Sequence, residues 1–273
     1  MVKLPEGSLL KAFLTQRLAD IANSKSRRSL EQLQAKLGGM PMPRGFRNAL
    51  AAHFQATGKP CVIAELKGGS VFDRSFRRPV PYKALAEDFE AVGATCLSVA
   101  VERRVLGGSY ADLATVLETV QLPVLAQDIV VDLYQVIEAR ISGADAVLLP
   151  ACLLGDELPQ FVSYASSLAL DPIVQVHTGA EIEQALAAGA GCLCVTNRNI
   201  HTFELKRGTC EELLPLIPAE ALAMAEGGFG TAEDLQSLRG AGAMGVLMGT
   251  ALMKDGDPAS VLEQVLGVDM APV

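Results

Sequence analysis

The sequence CVIAELKGGS, residues 61–70, decides how the rest of the chain is interpreted. Its first half is a short apolar run with Val and Ile that follows Gly-Lys-Pro, a pattern typical of a buried strand. Side chains alternate along a strand, so Glu65 and Lys67 point to the same side. Two opposite charges on the inner face of a buried strand are costly unless they are paired or used. The pattern fits a structural ion pair or a functional one, and the Gly-Gly-Ser turn favours function because glycine lets backbone approach a ligand.

The composition points to one large domain rather than to a membrane or nucleic-acid-binding protein. The chain has 273 residues, 50% of them hydrophobic, and a formal net charge of -8. No Lys/Arg run is long enough to bind nucleic acid, and the basic segment 74–78 fits either a solvated loop or an anion-attracting lid. No signal-peptide pattern opens the chain, and no apolar run reaches membrane-spanning length. We expect a soluble cytoplasmic protein with no nucleic-acid or membrane partner.

The six cysteines predict reduced thiols rather than a metal site. Most of them lie inside apolar strand-like runs, where cysteine behaves as a small hydrophobic residue. Cys192 and Cys194 are two positions apart, which is not a zinc signature without a second pair. We therefore predict no metal and no other cofactor.

Helical spacing dominates the N-terminal part of the chain. Apolar residues recur at helical intervals over 9–22, and a second helix is predicted over 29–37 with Ser29 as its N-cap. The segment PMPRG at 41–45 interrupts the pattern, which resumes over 46–54. These helices form an N-terminal extension ahead of the first strand.

Strand-like and helical segments alternate through the rest of the chain. Most strand-like runs follow a Gly-Ala or Pro signal. The strand-like runs are residues 61–67, 95–101, 123–127, 144–149, 172–177, 191–196, 221–226 and 243–249. The helical segments between them include residues 82–92, 110–120, 133–142, 158–168, 180–188, 210–216 and 231–239.

This alternation of eight βα units in one domain predicts a (β/α)8 TIM barrel, an α/β fold. A doubly wound open sheet is the alternative, although no G-x-G-x-x-G motif follows the first strand. We therefore predict a single domain over 1–273, with an N-terminal helical extension over 1–55 and the barrel over 56–273. Active sites of this fold lie at the carboxyl ends of the strands, so the polar residues there are the candidates.

The predicted strand ends are polar and of mixed charge, with no cluster at metal-ligand spacing. His177 lies two residues after Gln175, and a single histidine there is more often a packed, hydrogen-bonded residue than a base. Glycine-containing turns occur at 68–70, 227–228 and 249–250. These turns fit anion binding through converging backbone N–H groups and the Ser and Thr hydroxyls, or they only reverse the chain.

Eight short motifs carry a resemblance to a known family. They are PRGF at 43–46, VIAELK at 62–67, LAQD at 125–128, DLYQVIEAR at 132–140, GADAVLL at 143–149, VQVH at 174–177, TNRN at 196–199 and GTALM at 249–253. In this order, over nearly the whole chain, they resemble indole-3-glycerol-phosphate synthase. The resemblance implies an enzyme that closes an indole ring on a carboxylated anilino sugar phosphate, with loss of CO2 and then of water.

The resemblance also implies roles for the residues at the strand ends. Glu65, Lys67 and Glu226 are implied as catalytic, because carboxylates move protons or stabilise a cationic intermediate. Basic side chains hold the substrate carboxylate until it leaves. The resemblance implies substrate contacts from Ser70 and Arg198 as well as from Lys67. The other substrate-binding candidates at the strand ends are Gln127, Gln175, Asn197, Gly228, Gly249 and Thr250.

Several positions depart from the family pattern. The family has its usual general-acid lysine where this chain has Gln127, a catalytic glutamate where it has Gln175, and an asparagine where it has Thr196. Glutamine is neither an acid nor a base at neutral pH, and losing one positioned group costs roughly 10²- to 10⁴-fold. Further departures are Gly227-Gly228 for Ser-Gly, Ser70-Val71-Phe72 for Ser-Pro-Ser, and Val105-Leu106 for two aromatic residues.

Three functions fit this combination of kept and altered residues. The first is decarboxylating ring closure on an indolic β-keto acid, similar to the synthase-like cyclases of scytonemin biosynthesis. The second is ordinary indole-3-glycerol-phosphate synthesis in tryptophan biosynthesis, with Lys67 as the acid in place of Gln127. The third is a non-catalytic relative that binds a metabolite. We expect a small-molecule carboxylic acid as substrate and a monomer or weak homo-oligomer.

Overall fold

Eight parallel strands form a closed barrel in sequence order in the computed structural model, which confirms the predicted (β/α)8 fold. The structure describes residues 9–70, 73, 75–254 and 256–267. The barrel closes because the first strand pairs with both the second and the eighth. The strands are β1 (Cys61–Leu66), β2 (Cys96–Ala100), β3 (Val124–Gln127), β4 (Ala146–Pro150), β5 (Asp171–Val176), β6 (Cys192–Thr196), β7 (Leu222–Glu226) and β8 (Gly245–Met248).

The helices comprise an N-terminal group and an outer ring around the barrel. The N-terminal helical extension, also as predicted, consists of α1 (Leu9–Arg27), α2 (Leu30–Gln34) and α3 (Phe46–Thr57). Across the described ranges, none of the helices combines the length and the apolarity needed to cross a membrane. The remaining helices are α4 (Tyr82–Val92), α5 (Tyr110–Thr119), α6 (Leu133–Ile141), α7 (Ala151–Leu154), α8 (Leu158–Ser167), α9 (Gly179–Ala187), α10 (Thr209–Leu213), α11 (Ala232–Gly240), α12 (Thr250–Lys254) and α13 (Pro258–Leu266).

Most strands begin one or two residues later than the sequence predicted, because the Gly-Ala signal belongs to the end of the preceding helix. After α6, Gly143 adopts a φ of 94° and the N–H of Ala144 donates to the carbonyl of Ala139 at 3.1 Å. The next residue, Asp145, accepts the N–H of Val124 at 2.7 Å. Gly143 and Ala144 thus belong to the helix end and Asp145 bonds to the first residue of β3, and β4 itself starts at Ala146.

The interior of the barrel is closed by α3 at the N-terminal ends of the strands. Phe46 and Leu50 of α3 are fully buried against inward-facing residues that include Cys61, Ile173 and Met224. All six cysteines are free thiols, and Cys152 alone among them is not buried. The larger apolar core lies outside the barrel, between the strands and the helices.

The first helix lies over the opposite, C-terminal end of the barrel. Leu10 and Leu14 of α1 pack on Ile129 and Leu153, which follow β3 and β4. The helix continues to Arg27, beyond the last apolar residue of its periodic pattern. Three ion pairs attach its polar part to the loops after β2 and β3: Arg17 with Asp128, Asp20 with Arg104 at 2.8 Å, and Lys25 with Asp132 at 2.6 Å.

Candidate active site

A cleft of about 870 Å³ opens at the C-terminal ends of the strands. It brings together most of the residues that the sequence singled out, from six of the eight strand ends. Asn197 is the exception and does not line it. The predicted residues that line it are Glu65, Lys67, Ser70, Gln127, Gln175, Arg198, Glu226, Gly228, Gly249 and Thr250.

Glu65 and Lys67 form an ion pair in the wall of this cleft. Lys67 Nζ lies 2.6 Å from Glu65 Oε2, and the two side chains are 12% and 4% exposed. Gly249 at the end of β8 leaves room for the pair, since a Cβ there would lie 1.7 Å from Glu65 Oε2 and 2.8 Å from Lys67 Nζ. The charges of Glu65 and Lys67 are therefore paired with each other, and both residues also line the cleft.

Glu226 is a buried carboxyl at the end of β7 with an increased affinity for a proton. Burial raises its pKa, and the negative charge of Glu65 raises it further. Hydrogen bonds from Gln175 and Thr196 and the charge of Lys67 act in the opposite direction without cancelling the rise. Gln175 donates through Nε2 to Glu226 Oε1, so the amide orients this carboxyl. Glu226 therefore holds a proton more readily than an exposed carboxyl does.

Gln127, at the end of β3, has an unused hydrogen-bonding group. Its carbonyl oxygen Oε1 is buried and has no hydrogen-bond partner among the described residues. Ala100, its register partner on β2, is a small residue. Most buried acceptor atoms in proteins have a hydrogen-bond partner, so the Gln127 oxygen is an exception.

Arg198 supplies a positive charge to the cleft from just beyond β6. Burial lowers its pKa, and the negative charges of Glu226 and Asp73 oppose that change. Its backbone N–H donates to the hydroxyl of Thr196 at 3.1 Å, which fixes the turn that carries it. A partly desolvated guanidinium gains most from an anion that binds beside it.

Asn197, which the sequence predicted to bind substrate, makes hydrogen bonds within the protein and does not line the cleft. It is 1% exposed, its Nδ2 donates to the carbonyl of Gly227 at 3.1 Å, and its Oδ1 accepts the N–H of Cys210 at 3.0 Å. Gly227 has a φ of 101°, and a Cβ there would lie 3.0 Å from the Asn197 nitrogen. Asn197 therefore connects the turn after β6 to the loop after β7.

His177 is a hydrogen-bonded residue beside the cleft. Its Nδ1 lies 2.7 Å from the carbonyl of Thr196, and its backbone N–H donates to Glu181 at 2.7 Å. It lines a smaller adjoining cavity of about 420 Å³, together with Cys152. This arrangement agrees with a packed histidine, not with a base that faces the main cleft.

In the basic segment 74–78, the two described arginines donate hydrogen bonds to neighbouring loops. Arg77 donates to the carbonyls of Arg104 and Val105 at 2.8 and 2.6 Å, and Arg78 donates to the carbonyl of Met253 at 2.7 Å. Arg74 lies outside the described residues. The described arginines thus connect the loops around the cleft to one another.

Sequence reasoning did not predict the apolar side of the site, and it assigned no role to Glu102, which lies at a predicted strand end and shapes one of the loops. Glu102 accepts the N–H groups of Arg104, Val105 and Leu106 at 2.8, 2.7 and 3.0 Å, so the loop after β2 wraps around a buried carboxylate. A glutamate one residue past a strand was the available signal. The apolar lining comprises Leu106, Ile129, Leu148, Pro150, Ile200, Phe229, Leu247 and Ala251.

No group of three or more His, Cys, Asp or Glu side chains is arranged as metal ligands within the part of the chain that the structure describes. Metal independence stays a prediction. The described groups that meet in the cleft include two cations, three carboxyls and two amides, together with apolar side chains. A (β/α)8 barrel with this cleft at its C-terminal end belongs to the class of barrel enzymes that act on small anionic molecules.

Comparison with known proteins assigns the family. A family profile described as "Indole-3-glycerol phosphate synthase" matches residues 10–265. The chain belongs to the indole-3-glycerol phosphate synthase family, which consists of decarboxylating carbon–carbon lyases. An indole-3-glycerol phosphate synthase of a Nocardioides species is 38% identical over 251 residues, 92% of this chain and 95% of that protein. One from Acidithiobacillus ferrooxidans is 35% identical over 258 residues, 94% of this chain and 98% of that protein.

Solved structures show the same fold at lower identity. Thiamine phosphate pyrophosphorylase from Pyrococcus furiosus superimposes with a TM-score of 0.57 and 16% identity, over 76% of this chain and 94% of that one. A structure titled "Native KDPGal structure" gives a TM-score of 0.54 and 19% identity, over 76% and 92% of the two chains. At these identities the likeness concerns the barrel alone.

Proposed function

We propose that this protein closes a ring on an indolic β-keto acid with loss of CO2, as in scytonemin-type specialised metabolism. The observation that carries the proposal is the amide pair Gln127 and Gln175 within a cleft that keeps the other charged groups. The family has a lysine acid and a glutamate at these two positions. Gln175 is held as a donor to Glu226, so it supports a carboxyl and cannot itself move a proton.

The charged groups that remain suit decarboxylation. Arg198 and Lys67 are the cations available to bind the substrate carboxylate. When the C–CO2 bond of a β-keto acid breaks, its electron pair moves toward the neighbouring carbonyl and produces an enolate. Lys67 stabilises that negative charge, and Glu226, whose burial raises its pKa, gives the proton that neutralises it.

In the bond-forming half of the reaction, an aromatic ring carbon adds to a carbonyl carbon. The ring C–H proton passes to the Glu226 carboxylate, and the carbonyl oxygen takes up a proton to become a hydroxyl group, which leaves as water where the product is a ketone. The apolar residues Leu148, Pro150 and Ile129 line the cleft near β3 and β4, where an aryl group can pack. The cations Lys67 and Arg198 follow β1 and β6, each two strands away from this pair. A cleft that offers both apolar and cationic side chains supports a substrate with an aryl part and an anionic part.

Ordinary indole-3-glycerol phosphate synthesis is the second candidate. It is favoured by the relatives of that name, which match this chain at 33% to 38% identity over nearly their whole lengths. It requires Lys67 to take over as general acid, since Gln127 has no acidic proton. The third candidate is a non-catalytic relative that binds a metabolite, and it applies if the protein catalyses neither reaction.

A product assay by mass spectrometry tests these candidates. Purified protein is given the anilino deoxyribulose phosphate and, separately, the indolic β-keto acid. We expect CO2 and a cyclised indolic ketone from the second substrate. Indole-3-glycerol phosphate formed at a useful rate would move the assignment to the second candidate, and no turnover of either would move it to the third.

Restoration of the family residues provides an independent comparison. Gln127→Lys combined with Gln175→Glu should damage a repurposed cyclase, because both amides then become charged. In a drifted synthase or an inactive relative, the same double variant should raise synthase activity. The exposed Glu233→Gln serves as the matched control and should change neither activity.

The proposal also includes the partners and the location of the protein. The substrate is a small carboxylic acid, and the protein acts as a monomer or weak homo-oligomer in the cytoplasm. Six free thiols support a reducing compartment. Size-exclusion chromatography with light scattering tests the oligomeric state, and a stable tetramer would contradict this part.

A further inference from the structure

We infer that Glu102 is a positioning residue: its buried carboxylate fixes the loop after β2 against the loop after β1, and the position of these loops sets how tightly the cleft holds its substrate. Glu102 is not among the described residues that line the cleft, whereas Leu106 and Ser70, on the two loops, do line it. The inference rests on the proposed function only in taking this cleft as the ring-closing site, and it applies to either ring-closure reaction.

The carboxylate of Glu102 binds three successive backbone N–H groups. Its Oε1 accepts the N–H of Arg104 at 2.8 Å, and its Oε2 accepts those of Val105 and Leu106 at 2.7 and 3.0 Å. Glu102 is 2% exposed, and a buried charge needs such donors around it. A glutamine in its place could accept through one oxygen alone, and its NH2 group would face an N–H donor.

The carbonyl groups of the same three residues bind the loop after β1. Arg77 donates to the first two carbonyls at 2.8 and 2.6 Å. The N–H of Gly68 donates to the third, that of Leu106, at 3.0 Å. This three-residue segment is therefore bonded to Glu102 on its N–H side and to the loop after β1 on its carbonyl side. Because hydrogen bonds through one peptide group reinforce each other, the loss of one side weakens the other.

Both loops carry residues of the cleft wall. Leu106 ends the bonded segment, and Ser70 lies two residues after Gly68. Between these two, the loops are in such close contact that a Cβ on Gly69 would collide with the carbonyl oxygen of Val105. A shift of one loop must therefore move the other. A wall that is already in place raises affinity, because binding then does not have to order it.

The charged groups that act in the chemistry are held independently of this segment. Glu65 and Glu226 belong to β1 and β7 themselves, and Lys67 is held by Glu65 at 2.6 Å. The loss of the Glu102 bonds should therefore weaken substrate binding and leave the chemical step nearly unchanged.

Hydrogen exchange, followed by mass spectrometry on Glu102→Gln, tests the connection between the loops. We expect the amides of 104–106 to exchange about tenfold or more faster than in wild type, since a lost hydrogen bond makes local opening easier. The amide of Gly68, which Glu102 does not touch, should also exchange faster. Unchanged exchange at Gly68 would overturn the inference, because the loop after β1 would then not depend on Glu102.

Steady-state kinetics tests the effect on the substrate, with whichever ring-closure substrate the wild-type protein converts. The KM of Glu102→Gln should rise about tenfold, with kcat changed by less than about threefold. Calorimetric titration with indole-3-acetate, a carboxylate with an aromatic ring, should show a similar loss of affinity and needs no turnover. A kcat that falls while KM and the indole-3-acetate affinity stay unchanged would contradict the inference.

Asp145→Asn is the matched control at the opposite end of the barrel. Asp145 is also a buried carboxylate that accepts two backbone N–H groups, from Arg44 and Val124 at 2.6 and 2.7 Å. This variant should keep wild-type exchange in both loops, wild-type KM and wild-type affinity for indole-3-acetate. An equal loss of affinity in the control would show a general effect of stability and would overturn the role of Glu102.

The failure of this inference differs from the failure of the proposed function. Wild-type protein that converts neither ring-closure substrate, but binds indole-3-acetate about tenfold more tightly than Glu102→Gln does, would keep the inference and lose the proposed function. Wild-type protein that neither converts a ring-closure substrate nor binds indole-3-acetate would overturn both.

Discussion

The two ends of the barrel use the same strands in opposite ways. At the N-terminal end, Phe46 and Leu50 fill the interior, and the carboxylates of Asp145 and Asp171 accept backbone N–H groups from Arg44 and Arg47 at 2.6 and 2.9 Å. At the C-terminal end the interior holds charged pairs, a raised carboxyl pKa and an unsatisfied amide oxygen. The first arrangement is of the kind that stabilises a fold, whereas the second is of the kind found in ligand sites.

The largest expected effect is at the C-terminal end and concerns activity. Glu226→Gln keeps an acceptor for the Gln175 amide but removes the proton, so kcat for ring closure should fall by roughly 10²- to 10⁴-fold. The free energy of unfolding should stay near the wild-type value, since no buried charge is left alone. Glu233→Gln, on the exposed face of α11, is the control, and a kcat for Glu226→Gln close to that of the control would remove Glu226 from the chemistry.

The matching change at the N-terminal end should affect stability instead. Phe46→Ala leaves a cavity under the barrel, and we expect a loss of about 3–5 kcal/mol in the free energy of unfolding. Urea titration measures this loss, with Met42→Ala as the control because the Met42 side chain is 78% exposed.

A single cooperative transition in both proteins would support the prediction that 1–55 and 56–273 fold as one domain. Ligand affinity that falls along with stability in Phe46→Ala would show that the two ends are coupled.

Gly249→Ala should affect both properties, to a smaller extent. The added methyl group collides with the Glu65–Lys67 pair, so we expect a loss of about 1–3 kcal/mol in stability and weaker binding of carboxylate ligands. Gly240→Ala is the control, because a Cβ there meets nothing within 4 Å. Unchanged carboxylate affinity in Gly249→Ala would mean that the ion pair is structural only.

The smallest effect concerns pH and the contact of α1 with the barrel. Burial raises the pKa of Glu138 to about 7, the charge of Arg17 opposes the rise, and Asp128 adds to it. A carboxyl whose pKa is higher in the folded state contributes stability below its unfolded pKa, and this contribution is lost as pH rises through about 7. As pH rises from about 5 to about 8, the free energy of unfolding of the wild-type protein should therefore fall by about 1 kcal/mol more than that of Glu138→Gln.

Urea midpoints at several pH values measure this difference. Glu118→Gln, at an exposed position of α5, is the control and should follow the wild-type curve. Because the pKa values of Asp145 and Glu226 are raised as well, only the difference between the variant and wild type reports on Glu138. Parallel curves for Glu138→Gln and wild type would contradict the prediction.

The comparison of the two ends also explains what the sequence could predict. Buried apolar runs and helical periodicity located the eight strands and the extension, because those patterns depend on local alternation. The partners of Gln175 and Asn197 could not be predicted, since Glu226 and Gly227 come from a different strand end. Beyond the last strand residue the alternation stops, so nothing local indicated that Arg198 would line the cleft and Asn197 would not.

The cysteines inside the barrel can report when its strands separate. Cys61, Cys96, Cys192 and Cys194 lie in the closed interior, and burial raises the pKa of each thiol. A thiol that is both inaccessible and protonated does not react with an alkylating reagent. Each of these residues that becomes alkylated in native buffer therefore records a moment when the strands separated, and mass spectrometry of the labelled chain reads the rate of that separation strand by strand.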